Sequence, residues 1–155
     1  MDFCPACNST SATQRCSACH SVLYCGANCQ KKHWSAHKET CKKIREAEKA
    51  GFIKTITQAS TTPDKKPNKG ATVRMKYRGY LPSGKVFDSN DEGFEFTLGV
   101  GQVIRGWDQG IATMAVGEKA TICISSEFAY GRRGASGAVP PNSPIVFDVE
   151  MLGFN

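Results

Sequence analysis

Cys4-x2-Cys7-x8-Cys16-x2-Cys19-x5-Cys25-x3-Cys29-x7-His37-x3-Cys41 opens the chain, and its reading decides the fold of everything before residue 50. A C-x2-C pair on a tight turn aims two sulfurs at one ion. C-x3-C and H-x3-C place two ligands one helical turn apart on the same face. Four such pairs supply eight ligands, enough for two closed tetrahedral zinc sites with no position left for catalytic water. Seven of the chain's eight cysteines lie in this stretch, and the odd set is completed by His37. That arithmetic suits metal ligation better than a disulfide framework. Grouping four intact pairs into two sites has three solutions, and spacing does not choose among them.

Working outward, residues up to 26 are turn-rich and leave no room for a long element. From Ala27 to Ala50 the residues Trp34, His37, Cys41, Ile44 and Ala47 recur at three- and four-residue steps, which predicts a helix stopped by Gly51. So short a segment cannot build an adequate apolar core. Metal binding is therefore expected to supply most of its folding free energy, and a chelator is expected to unfold residues 1–45 while the rest stays folded. His20 and His33 fall outside the ligand pattern.

The 155 residues are 40% hydrophobic and 22% charged, the balance of a globular chain. There is no apolar run of about 18 residues, so no transmembrane helix is expected. Met1-Asp2-Phe3-Cys4 has neither a basic start nor an apolar stretch, which predicts a cytoplasmic and/or nuclear protein. The formal net charge is +6, with +4 in residues 1–50. Seven thiolates and two divalent ions lower each figure by three, to about +3 and about +1. The basic helix residues from Lys31 to Lys49 are interrupted by Glu39, Glu46 and Glu48. A solvated helix face is thus preferred to a nucleic-acid surface.

Beyond Gly51 the signals are mostly β. Phe52–Ile56, Val73–Tyr77, Phe94–Leu98, Ala120–Ile124 and Ile145–Met151 read as strands, and Ile104–Met114 as one short helix. Residues 58–70 and 130–144 read as loops. The expected fold is α+β: a curved antiparallel sheet wrapped on one short helix, behind a small two-zinc finger with a C-terminal helix. The expected domains are 1–50 and 51–155. The second domain has no histidine, which removes the commonest general base. Its single cysteine, Cys123, reads as an ordinary sheet residue. Aromatic residues beside turns stand out instead: Tyr77, Phe87, Phe94, Trp107, Tyr130 and Phe147.

The N-terminal pattern, with Tyr24-Cys25, Gln30 and His33-Trp34 between the ligands, resembles a MYND-type zinc finger over residues 4–41. The resemblance implies an interleaved cross-brace. Cys4, Cys7, Cys25 and Cys29 would hold one zinc, and Cys16, Cys19, His37 and Cys41 the other. It also implies protein docking, often of short proline-containing peptides. In the second domain the order of segments is similar to an FKBP-type peptidyl-prolyl cis-trans isomerase. These segments are Gly84-Lys-Val-Phe87-Asp88-Ser89, Phe94-x-Phe96, Gln102-Val103-Ile104-Arg105-Gly106-Trp107-Asp108, Phe128-Ala129-Tyr130-Gly131, Val139-Pro140-Pro141-Asn142 and Phe147-Asp148-Val149-Glu150.

That resemblance implies a pocket floored by Trp107 and walled by Tyr77, Phe87, Phe94, Val103, Ile104 and Phe147. The Ile104 N–H and the Tyr130 hydroxyl would bond substrate carbonyls, with Asp88 at the polar edge. It implies isomerisation of X–Pro bonds in protein segments with no catalytic cofactor, and tacrolimus- or rapamycin-type ligands. Some positions depart from the family pattern. Only six residues separate Phe87 from Phe94, where many members have a longer bulge with an arginine near the aspartate. Ala135 and Ala138 stand where bulkier residues are usual, and Gln102 where an acid is common. These departures predict a more open entrance. The competing expectation is a non-catalytic adaptor that grips proline-containing segments with both domains.

Overall fold

The computed structural model describes residues 4–9 and 12–155. Two two-residue strands, β1 (Gln14–Arg15) and β2 (Leu23–Tyr24), pair antiparallel and lead into α1 (Ala27–Ala50). The helix occupies the span its periodicity predicts, burying His37, Cys41, Ile44 and Ala47 along one stripe. Gly51 ends it with φ +94°, and its N–H returns to the Ala47 carbonyl at 2.7 Å. A Cβ at Gly51 would lie 2.6 Å from the Phe128 ring, so both the backbone sign and the space require glycine.

The next residue, Phe52, already belongs to β3 (Phe52–Gln58). β4 (Thr72–Tyr80), β5 (Val86–Thr97), β6 (Lys119–Ile124) and β7 (Ile145–Phe154) complete a five-stranded antiparallel sheet in the order β3-β6-β7-β4-β5. The helical segment expected over Ile104–Met114 divides in two: α2 (Arg105–Gly110), then a 3-10 turn over Ile111–Thr113. β5 extends eight residues before the expected strand at Phe94, along the edge of the sheet.

Strand alternation gives the sheet two apolar faces. Val73, Met75, Ala120, Ile122, Ile124, Ile145, Phe147, Val149 and Met151 point to one side, where Trp107, Ile111 and Met114 from the α2 region fill the core. Ile53, Tyr80, Cys123 and Val146 point to the other, where they share a core with Val22, Tyr24, Cys41, Ile44 and Ala47 of the N-terminal region. The architecture is therefore three layers, α1 over the sheet over α2. Cys123, an ordinary sheet residue by its sequence, is fully buried under α1, and burial pushes its thiol up to about 12. Among the described residues no helix is long and apolar enough to cross a membrane.

Candidate functional site

Of the three groupings open to the ligand pairs, the chain adopts the interleaved one. The ligand atoms of Cys4, Cys7, Cys25 and Cys29 gather in one set, and those of Cys16, Cys19, His37 and Cys41 in a second, each within 4.8 Å of its fellows. Four sulfurs around zinc at a bond length of about 2.3 Å stand about 3.8 Å apart along the tetrahedron edges. The measured edges match: 3.5 Å for Cys7–Cys25, 3.8 Å for Cys7–Cys29, 3.9 Å for Cys16–Cys41, and 3.4 Å from Cys19 Sγ to His37 Nε2. Both sets therefore fit a tetrahedral ion.

Their electrostatics favour a cation too. Burial raises the Cys4 thiol, but backbone N–H groups at Cys25, Ala6 and Cys7 outweigh it and bring Cys4 down to about 6. Burial pushes Cys19 up to about 12 and raises Cys41, and the charge of neighbouring thiolates adds to both. Around the second set, the His33 ring stacks on His37 at 5.8 Å, and His33 Nδ1 lies 2.8 Å from the Tyr24 hydroxyl. His33 thus supports a ligand, while His20 is exposed in a turn at φ +58°. Beside this set an apolar groove of about 400 Å³ is lined by Ser17, Ala18, Ala27, Gln30, Lys31 and the exposed Trp34.

On the opposite layer a pocket of about 370 Å³ is lined by Tyr77, Asp88, Phe94, Gln102, Val103, Ile104, Trp107, Tyr130 and Phe147. Its floor is the Trp107 indole, buried at the start of α2. Tyr77 meets that indole edge-on at 4.9 Å and Phe147 at 5.2 Å, with Phe94 at 6.2 Å. Such edge-to-face pairs lock the rings against one another. α2 lies this close to the sheet because Gly106 has no Cβ; one there would sit 2.5 Å from Ile124 Cγ2.

Eight of the nine predicted pocket residues line the cavity. Phe87 does not: its ring packs edge-on against Phe147 at 5.6 Å, over Gly79, and braces that wall from behind. Ala135 and Ala138 pack against the core and do not line the pocket.

The polar groups are few and fixed. The Tyr77 hydroxyl donates to Asp88 Oδ2 at 2.8 Å. Burial, then this bond and the Asp88 charge, push Tyr77 up to about 12; burial and the same charge raise Tyr130. Both phenols therefore stay protonated, and remain hydrogen-bond donors, well above neutral pH. Among the described residues no acceptor takes the Ile104 N–H. Two side chains hold the loop that presents it: Asp108 accepts from the Gly99 and Gly101 N–H groups at 2.9 and 3.1 Å, and Gln102 Oε1 from Thr97 N–H at 2.8 Å. Sequence reasoning missed these positioning roles. The Gly-rich turn at 99–101 just before the helix was the available signal, since such backbone needs a carboxylate to tie it down.

A family profile described as FKBP-type peptidyl-prolyl cis-trans isomerase matches residues 63–152, and one described as MYND finger matches residues 4–41. Among curated relatives, a peptidyl-prolyl cis-trans isomerase of Schizosaccharomyces pombe is 50% identical over 92 residues, covering 57% of this chain and 82% of that protein. FK506-binding protein 1 of Saccharomyces cerevisiae is 51% identical over 92 residues, covering 57% and 81%. A peptidyl-prolyl cis-trans isomerase of Drosophila melanogaster is 47% identical over 89 residues, covering 56% and 82%.

Proposed function

Because the chain belongs to the FKBP-type peptidyl-prolyl cis-trans isomerase family and is itself such an isomerase fused to a zinc-binding MYND finger, we propose how the pocket works and what the finger adds. The substrates are X–Pro bonds in protein segments. Their barrier, about 18–20 kcal/mol, comes from amide resonance. The aromatic walls strip water from the planar, more polar amide. The Tyr130 hydroxyl and the Ile104 N–H then hold the carbonyls of the twisted form, as preset donors in a dry site. Asp88 fixes the Tyr77 hydroxyl and keeps that wall oriented. A thousandfold to millionfold acceleration asks for only about 4–8 kcal/mol, within reach of desolvation and two donors, with no cofactor.

The observation that carries this reading is the Trp107 floor, enclosed by Tyr77, Phe94 and Phe147, beside two donors with no bond broken or formed. In the finger, each four-ligand set holds one structural Zn2+, giving two per chain. The Trp34 groove beside the second set docks proline-containing segments of partner proteins. Relatives named for FK506 binding support tacrolimus- and rapamycin-type ligands in the isomerase pocket. Residues 1–50 and 51–155 form the two functional units. Seven zinc-ligating cysteines and a buried Cys123 outside any disulfide support a reducing compartment, cytoplasm or nucleus.

The test is a proline-peptide isomerisation assay beside zinc quantification. The wild type should accelerate isomerisation and carry two zinc ions. Trp107→Ala should lose about 100-fold or more in kcat/KM, about 3 kcal/mol of transition-state stabilisation. A folded wild-type protein no faster than buffer would favour the adaptor reading.

A further inference from the structure

We propose that the pocket selects proline-containing segments bearing lysine or arginine next to the proline, with Asp88 as the selecting group. The inference rests on the isomerase reading of this pocket and names its substrate class.

Asp88 is the single charged residue among the nine that line the cavity. It is exposed at the rim. Its one bond is from a neutral donor, the Tyr77 hydroxyl on Oδ2. Among the described residues the ion pairs are Lys54–Glu118 and Lys119–Glu150, and neither involves Asp88. The strand that carries it, β5, also holds Asp91, Glu92 and Glu95 and has no lysine or arginine.

Three arginines on β4 and α2 are engaged elsewhere. Arg74, opposite Glu95 on β4, bonds the Glu92 carbonyl at 2.8 Å. Arg78 lies over the Tyr80 ring at 5.7 Å, and Arg105 over the Phe128 ring at 4.3 Å. Opposite Asp88 in the sheet stands Gly79, which has no side chain to offer. The field of Asp88 also reaches across the pocket, since its charge acts on the hydroxyls of both Tyr77 and Tyr130. A proline seated over Trp107 therefore brings its neighbouring residue to an aromatic rim whose one negative charge has no ion-pair partner among the described residues. A basic side chain there supplies the missing counter-charge; an acidic one meets repulsion.

The experiment uses the full-length zinc-loaded protein and three tetrapeptides with Lys, Met or Glu before the proline, Met being neutral and of similar reach. The expected order of kcat/KM is Lys, Met, Glu, with Lys over Glu by about fivefold to tenfold at low salt. That ratio should shrink towards unity near 0.5 M salt, where the Debye length falls to about 4 Å. Asp88→Asn should bring the Lys/Glu ratio close to one whatever its overall rate, because the ratio is internal to each protein. Equal rates on Lys and Glu peptides in the wild type, or a ratio that survives Asp88→Asn, would overturn the proposal. If no peptide is turned over, the isomerase reading fails, and the selection is then read from peptide Kd by tryptophan fluorescence. A fivefold or greater Lys-over-Glu affinity would sustain it, and equal affinities would overturn it.

Discussion

The finger and the isomerase domain reach stability by opposite routes. In the finger, half of the buried positions go to ligands: Cys4, Cys16, Cys19, Cys41 and His37 are all nearly inaccessible, beside Ala12, Val22, Tyr24, Ile44 and Ala47. In the isomerase domain the same depth is filled by Val73, Met75, Ile111, Met114, Ile122, Ile145 and Met151. One region is closed by coordination bonds, the other by dispersion and the release of water. Yet the two meet in one core, because Ile53, Tyr80, Cys123 and Val146 on the outer sheet face pack against Val22, Tyr24, Ile44 and Ala47. Folding free energy gained at a bound metal should therefore be shared with the sheet.

Removing the metal tests that sharing most severely. A strong chelator should unfold the finger and also lower the melting temperature of the isomerase domain by about 10 °C, as its outer face loses about 2 kcal/mol of burial. Calorimetry, with hydrogen exchange along β6 and β7, reads this. Unchanged exchange there would mean that the sheet draws no stability from the finger. A smaller cut at the same seam is Ile44→Ala. This side chain is fully buried on α1, and its loss should cost about 3 kcal/mol. The signature is faster exchange at Cys123 and Val146, which lie on another element. Ile44→Ala effects confined to α1 would break the shared-core account.

The isomerase domain also has an anchor of its own. Lys54 Nζ reaches the buried Glu118 at 2.8 Å and the Thr113 carbonyl at 3.0 Å, tying β3 to the segment after α2. Lys54→Met strands a buried carboxylate and should cost about 3 kcal/mol by urea denaturation. Zinc content should stay the same. The smallest expected effect is no change. Tyr77 and Tyr130 act as protonated hydroxyls, and both are raised above the ordinary phenol value. The protonated state thus persists to higher pH, and kcat/KM should stay flat from about pH 7 to about pH 9. A decline across that range would implicate a group other than these phenols.

Local patterns carried much of this to the surface. Ligand spacing revealed the metal chemistry, and three- and four-residue steps gave α1 at its observed bounds. What escaped was whatever depends on neighbours distant in the chain. The first half of β5, Val86 to Gly93, is an edge strand rich in acids, so it shows no alternation to read. β1 and β2, two residues each, are shorter than any period. The second apolar face takes roughly one residue from each of β3, β4, β6 and β7, and a single Cys123 or Val146 says nothing until α1 lies over it. Phe87 matched the family motif, yet only the position of Phe147 reveals that it stands behind the wall.

Gly51 joins α1 to β3 with no intervening residue, under the Phe128 ring, and its carbonyl accepts the Ser125 N–H at 2.9 Å. A flexible tether would let a finger sweep a volume and deliver any proline within reach. This junction works instead as a caliper with its jaws locked. On the docking proposed above, a client gripped at the Trp34 groove would meet Trp107 across one set span, and its own slack would decide which proline is turned.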